Sequence, residues 1–287
     1  MSLPEGLPPQ VARGRTLVWG VLNVTPDSFS DGGEWLDSSA AIAHGIAMAA
    51  QGADIIDVGG ESTRPGADRI SVSDEIERVL PVVRALTAEG VVVSIDTMRA
   101  EVALAAVEAG AALVNDVSGG LSDPAMRECV AALDVPYVIM HWRGHSATMD
   151  ELATYDDVVA DVVSELRERV AEAEAHGIRR ERLIVDPGIG FAKQVRHNWP
   201  LLANLDALHS LGLPVLIGAS RKRFLGALLA DSSGMPRAVN DRDAATHAVS
   251  AIAALAGVWG VRVHEVSGSA DAVRVGAAIR AEAVSRG

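Results

Sequence analysis

Residues 52–66, GADIIDVGGESTRPG, decide how the rest of the chain is read. The apolar pair Ile55-Ile56 runs into a carboxylate, Asp57, and then into two glycines and a polar loop with Glu61, Ser62, Thr63 and Arg64. A buried strand ends here on an acid. The pattern returns where Val91 to Ile95 ends on Asp96, Ala111 to Val114 on Asn115-Asp116, and Leu183 to Val185 on Asp186. Polar residues gathered at the carboxyl ends of parallel strands place a site on one face of an α/β fold.

Strand-like apolar runs start near Leu17, Ile55, Val91, Ala111, Val135, Leu183, Pro214 and Val261, with seven segments of helical periodicity between them. The clearest helical stripes are Val158, Val159, Val162, Val163, Leu166 and Val170, and Ile76, Val79, Leu80, Val83 and Leu86. Pro81 lies inside the second stripe and predicts a kink there. Strand and helix alternating at this spacing imply right-handed βαβ units. Eight of them, the last completed by a helical pattern from Ser267 to Ala283, imply a single (β/α)8 TIM barrel over residues 16–287, with its active site at the C-terminal ends of the strands. Residues 1–15 read as an N-terminal extension. An open doubly wound sheet is the alternative, but G-x-G-x-x-G is absent after the first strand, where Asn23-Val24-Thr25-Pro26 stands.

A formal charge of −13 across 287 residues argues against binding a phosphate backbone, so an anionic substrate must be met by a local group of cations. The one cysteine, Cys129, permits no intrachain disulfide and suits a reducing, cytoplasmic setting. The first 15 residues carry prolines and charges where a signal peptide needs an apolar core, and residues 244–261 are too broken by Thr246, His247 and Ser250 to span a membrane.

On a barrel, the strand ends bring Asn23, Asp57, Asp96, Asn115, His141, Asp186, Ser220-Arg221-Lys222, and Arg262 with His264 to one mouth. Arg262 and His264 alternate with Val261 and Val263, so both face inward, and an arginine in that interior needs an anion. His141 fits either a ligand contact or a structural hydrogen bond. Residues 27–33 and 59–66 form glycine-flanked polar loops that overhang the mouth. No nucleophile elbow and no His/Cys metal spacing is present, while Asn23 and nearby acids suit a hard ion such as Mg²⁺ shared with substrate phosphates.

These strings, GVLNVTPDSFSDGG (20–33), DVGGESTRP (57–65), SIDT (94–97), NDVSGG (115–120), DPGIGFAK (186–193), GASRKRF (218–224) and RVH (262–264), run the length of the chain in order. In them the chain resembles the dihydropteroate synthase family, pterin-binding (β/α)8 barrels of folate biosynthesis. The resemblance implies a transferase that joins 4-aminobenzoate to 6-hydroxymethyl-7,8-dihydropterin pyrophosphate, releasing pyrophosphate and 7,8-dihydropteroate, and that is a sulfonamide target. It implies that Asp96, Asn115, Asp186 and Lys222 hold the pterin. Asn23 would bind Mg²⁺ and, with Thr63, Arg64, Arg262 and His264, face the pyrophosphate. Thr63, Pro65, Phe191, Ser220 and Lys222 would border the aminobenzoate, with Lys193 near the same loops, and Lys222, Arg262 and His264 would be catalytic. A homodimer through the outer helices is implied as well, with no nucleic-acid or membrane partner.

The string His141-Trp142-Arg143-Gly144-His145-Ser146 departs from the family, which commonly has a methionine-rich start and a different loop here. Two other readings stand beside the synthase. One is a folate-dependent methyltransferase acting on a corrinoid protein, which needs neither the first loop nor the Arg262/His264 pair. The other is a pterin-binding paralogue with weak or no activity. One bias belongs to this chain itself: of 25 cationic side chains 23 are arginine, and the two lysines, Lys193 and Lys222, both fall in strand-end loops.

Overall fold

The computed structural model describes residues 3–25, 33–61, 70–145, 148–149 and 151–284. Eight parallel strands follow one another around a barrel: β1 (Leu17–Asn23), β2 (Ile55–Gly59), β3 (Val93–Asp96), β4 (Leu113–Asp116), β5 (Tyr137–Met140), β6 (Leu183–Asp186), β7 (Leu216–Ile217) and β8 (Gly260–Val263). The spatial order is β6-β5-β4-β3-β2-β1-β8-β7, and a bridge between Val185 and Val215 joins the two ends. All eight strands expected from the apolar runs are present.

Alternation along the strands sorts side chains into two shells. Val18, Leu22, Ile56, Val58, Val114 and Val261 point outward and pack under the helices. Leu17, Trp19, Ile55, Leu113, Val138, Ile184 and Leu216 point inward and fill the lower half of the barrel. Trp19 and Trp259 meet there edge to face, with centroids 5.5 Å apart. One layer higher the inward positions turn polar, with Asp57, Ser94, Asp96, Asn115, Asp186 and Arg262, because the register sets Asp57 beside Ser94 and Asp96 beside Asn115. An apolar floor thus carries a charged upper storey, and the site lies on that storey.

The N-terminal segment plugs the lower end. Leu7 and Val11 are buried against the inward apolar layer. Arg15 grips Asp54 at 2.8 and 3.1 Å, and Asp54 also accepts from the Val18 amide at 2.9 Å.

Among the described residues the helices are α1 (Gly33–Ala50), α2 (Val72–Ala88), α3 (Ala100–Glu108), α4 (Met126–Leu133), α5 (Val158–Ala175), α6 (Val195–Ala203), α7 (Leu205–His209), α8 (Arg223–Leu228), α9 (Asp243–Leu255) and α10 (Ser267–Val284). Ser71 and Asp74 form a reciprocal cap at the start of α2, and Asp157 caps α5 through the amides of Val159 and Ala160. The expected break at Pro81 does not end α2. The proline lies on the exposed side, while Val79, Val82, Val83 and Leu86 are fully buried and hold the helix to the sheet. Units six and seven each carry two helices where one was expected, since Asn204 ends α6, and the turn-forming run 231–236, DSSGMP, separates α8 from α9. No described helix is long and apolar enough to cross a membrane.

Candidate active site

A cavity of about 930 Å³ opens at the C-terminal ends of the strands. Its wall includes Asn23, Asp96, Phe191, Lys193, Ser220, Lys222, Arg262 and His264. Asn115 and Asp186 do not line it; they sit in the inner polar layer, Asn115 bonded to Asp57 and Asp186 beside Lys222. Thr63, Arg64 and Pro65, expected at the same mouth, lie outside the described residues, as does most of the first loop.

The inner layer is organised by Asp57. Its Oδ2 accepts from Arg262 Nε at 2.6 Å and from Asn115 Nδ2 at 2.9 Å, while Arg262 Nη2 donates to Asp96 Oδ2 at 2.6 Å. The anion expected opposite Arg262 is thus supplied in part from within the barrel. Arg262 and His264 both face inward, and two aspartates from β2 and β3 already answer the guanidinium. His264 Nδ1 lies 3.0 Å from Ser220 Oγ. Asp57 Oδ1 and Ser94 Oγ, on residues in register across β2 and β3, are buried with no partner among the described residues.

Burial lifts Asp96 to about 7, with Asp57, Glu75 and Asp116 pushing the same way and Arg262 opposing. Burial also raises Asp186, against Lys222 and the Gly188 amide, which donates to its Oδ1 at 2.7 Å. Burial works against the charge of Arg262, yet Asp57 and Asp96 more than offset it, and the guanidinium holds its proton more tightly than a free one. Lys222 is brought down to about 8 by burial, with Asp186 opposing.

Both lysines follow residues in the left-handed region: Ala192 at φ 47° precedes Lys193, and Arg221 at φ 57° precedes Lys222. Each such residue costs about 1–2 kcal/mol, so outside contacts must hold these turns. Arg221 forks onto Asp243 at 2.7 Å twice, and its carbonyl accepts from Arg242 Nη1 at 2.8 Å. Lys222 Nζ then reaches back to the Ile189 carbonyl and stands 4.5 Å from the centre of the Phe191 ring.

The two readings of His141 are decided for structure. It is buried, its Nε2 is 3.0 Å from Glu165 and its Nδ1 is 3.0 Å from Lys193 Nζ. Asp116 likewise faces away from the site, accepting from Ser118, Gly120 and the Tyr137 hydroxyl to fix the loop after β4. The strand-end pattern puts Asp57 at the mouth, but nothing in the sequence alone marks its role as the shared acceptor for Arg262 and Asn115. Asn198, Arg242 and Met149 also line the cavity. Asn198 lies on α6, Arg242 just before α9 and Met149 between β5 and α5, where no strand-end signal marks them.

The chain matches the family described as "Pterin binding enzyme" over residues 19–264. A dihydropteroate synthase of Mycobacterium leprae (strain TN) is 55% identical over 259 residues, 90% of this chain and 91% of the relative. A Xanthomonas albilineans dihydropteroate synthase solved with 4-aminobenzoic acid superposes with a TM-score of 0.85 at 46% identity, covering 93% of this chain and 94% of the other. A Yersinia pestis dihydropteroate synthase in a sulfonamide drug complex has a TM-score of 0.87 at 39% identity, covering 98% and 99%.

Proposed function

Because the chain belongs to the dihydropteroate synthase family of pterin-binding enzymes, we propose that it condenses 4-aminobenzoate with 6-hydroxymethyl-7,8-dihydropterin pyrophosphate to give 7,8-dihydropteroate and pyrophosphate. The observation that carries this reading is the inner polar layer. Asp186 and the unpartnered Asp57 Oδ1 and Ser94 Oγ are buried acceptors beside the partly buried Asp96, and a ring with amino and N–H donors satisfies them.

In this reading the pterin lies over Asp96, Asn115 and Asp186, with Lys222 at its edge. Arg262, His264, Arg64 and Thr63 face the pyrophosphate, where charge grows as the carbon–oxygen bond breaks. The arylamine, held between Phe191, Pro65, Thr63, Ser220 and Lys222, attacks the methylene carbon that the leaving group vacates. Its nitrogen then releases a proton. Sulfonamides, as arylamine mimics, compete in the same place.

Among the described residues no three His, Cys, Asp or Glu side chains converge as a metal cage. The donor set still fits a shared Mg²⁺, since this ion is commonly held by one or two protein oxygens together with substrate phosphates and waters. Asn23, at the end of β1 on the cavity wall, is the residue that would hold it. Held there, such an ion would supply charge neutralisation for the departing pyrophosphate. Asn23→Ala is therefore expected to weaken the pyrophosphate-bearing substrate about tenfold or more while leaving free pterin within about twofold, as titration calorimetry with each ligand would read. Equal losses would reduce Asn23 to a support of the first loop.

Asp96 supplies a pH prediction. With its pKa near 7 it is largely neutral below that value and an acceptor-only carboxylate above it. Pterin affinity should rise as pH passes through about 7 and then level off, by about tenfold or more for each charge-assisted hydrogen bond gained. Asp96→Asn should bind weakly and without that inflection. A wild-type profile flat from pH 6 to 8 would remove Asp96 from the pterin contacts.

A homodimer is part of the same reading. Ile252 and Leu255 of α9 and Val275 and Ile279 of α10 are exposed on two helices that pack together, an apolar surface suited to a second copy. A cytoplasmic setting is supported by the lone free Cys129. Incubating the protein with both substrates and Mg²⁺ and following pyrophosphate tests the activity. Release only when both substrates are present supports the synthase, and none at all leaves the inactive paralogue.

A further inference from the structure

His141 and Tyr155, in the connection between β5 and α5, are fastened to the turn that follows β6. His141 Nδ1 is 3.0 Å from Lys193 Nζ, and its Nε2 is 3.0 Å from Glu165 on α5. An ammonium only donates, so Nδ1 accepts and the ring proton lies on Nε2, donated to the carboxylate. Arg143 closes on the same Glu165 at 3.1 and 3.2 Å through Nε and stands 4.0 Å over the Tyr155 ring. Tyr155 in turn donates to the Ala192 carbonyl at 2.9 Å. Lys193 Nζ also donates to the Phe191 carbonyl at 3.1 Å. The left-handed turn 191–193 is thus gripped at Ala192 and at Lys193, both times by groups seated on the β5–α5 loop or α5. Phe191 leaves that turn facing Lys222.

We propose that Lys193 is a positioning residue of the aminobenzoate wall, and that the loop after β5 sets arylamine affinity through it, an inference that rests on the synthase reading. Loss of the Lys193 bonds frees the turn, and Phe191 and Lys222 lose their fixed separation. The cation itself adds to the effect, because aminobenzoate is an anion.

Burial presses Lys193 down to about 7; Asp186 opposes, Lys222 and Arg143 press further, and Glu165 opposes. The groups around it are Asp186 from β6, Lys222 after β7, His141 and Arg143 after β5, Tyr155 before α5, Glu165 on α5 and His197 on α6. His141 is held at about 4, first by burial and then by Lys193, so it stays neutral where Lys193 titrates. Lys193 is charged below about 7 and neutral above, and KM for aminobenzoate should rise with pH through that point.

With only two lysines in the chain, [13Cε]lysine labelling gives two signals, and Lys193→Met identifies them by removing one. The expected result is one titration near 7 for Lys193 and one near 8 for Lys222. In Lys193→Met, KM for aminobenzoate should rise about tenfold, as one charge-assisted hydrogen bond dictates, with kcat and free-pterin affinity within about threefold and the inflection near 7 gone. Unchanged KM, or equal losses in kcat and both substrates, overturns the proposal. If that variant does not fold, Tyr155→Phe decides, since it removes only the hydroxyl on Ala192: a rise in KM supports the proposal and an unchanged KM overturns it. Wild-type protein that releases no pyrophosphate overturns the synthase reading and this inference together; active wild type with an unaltered variant overturns the inference alone.

Discussion

Lys222→Arg is expected to fold normally and to lose about a hundredfold or more in turnover, the scale on which displacing one preorganised active-site donor acts. The substitution keeps the charge and changes only its shape. Lys222 is threaded through a slot whose width is set by Gly190, where an added Cβ would lie 2.9 Å from the lysine Cδ. At the end of the slot Nζ meets the Ile189 carbonyl and the Phe191 ring. A guanidinium is a planar fork that needs width as well as length, and a point charge on a thin stem does not. The coding bias strengthens the case, because 23 of the chain's 25 cations are arginine and yet lysine stands here. Steady-state kinetics beside a thermal melt would decide it. Near-normal kcat and KM in a folded variant would mean that charge alone is needed at this position.

The second large effect is on stability. Arg262→Met should cost about 3–5 kcal/mol near neutral pH, because it strips the cation from Asp57 and Asp96 and leaves their charge buried without a partner. The deficit should depend on pH, and the sign follows from the folded-state pKa of Asp96, already raised to about 7 by burial with Arg262 holding it down. Without Arg262 it rises further. An acid whose pKa is raised on folding binds more protons folded than unfolded, so its contribution is intact below the unfolded value near 4 and is lost as pH rises through the folded one. The variant should therefore be closest to wild type at about pH 5 and furthest from it at about pH 8. Denaturant titrations giving the same deficit at both would show that Arg262 is not what neutralises this layer.

The architecture was legible because its signals are local. A short, mostly apolar run that stops at Asp96 or Asp186, and a one-turn stripe such as Val162, Leu166 and Val170, are decided within a few residues of chain. Strand number, the face that carries the chemistry and the strand-end part of the cavity wall, such as Asn23, Asp96, Lys222 and Arg262, follow from such runs. Pairing did not. Arg262 takes its two acids from 205 and 166 positions away, and no periodicity records which carboxylate on a neighbouring strand will reach it. Asn115 and Asp116 are adjacent and both polar, yet one turns into the barrel and the other ties down a loop. His141 looked like a ligand contact as readily as a brace until Glu165 and Lys193 were found on either side of its ring. Local sequence determined where polar groups leave the strands, because alternation and burial act over neighbouring residues. Which of those groups neutralise one another, and which remain for a ligand, was decided by tertiary structure, because a buried charge must find its partner across the barrel.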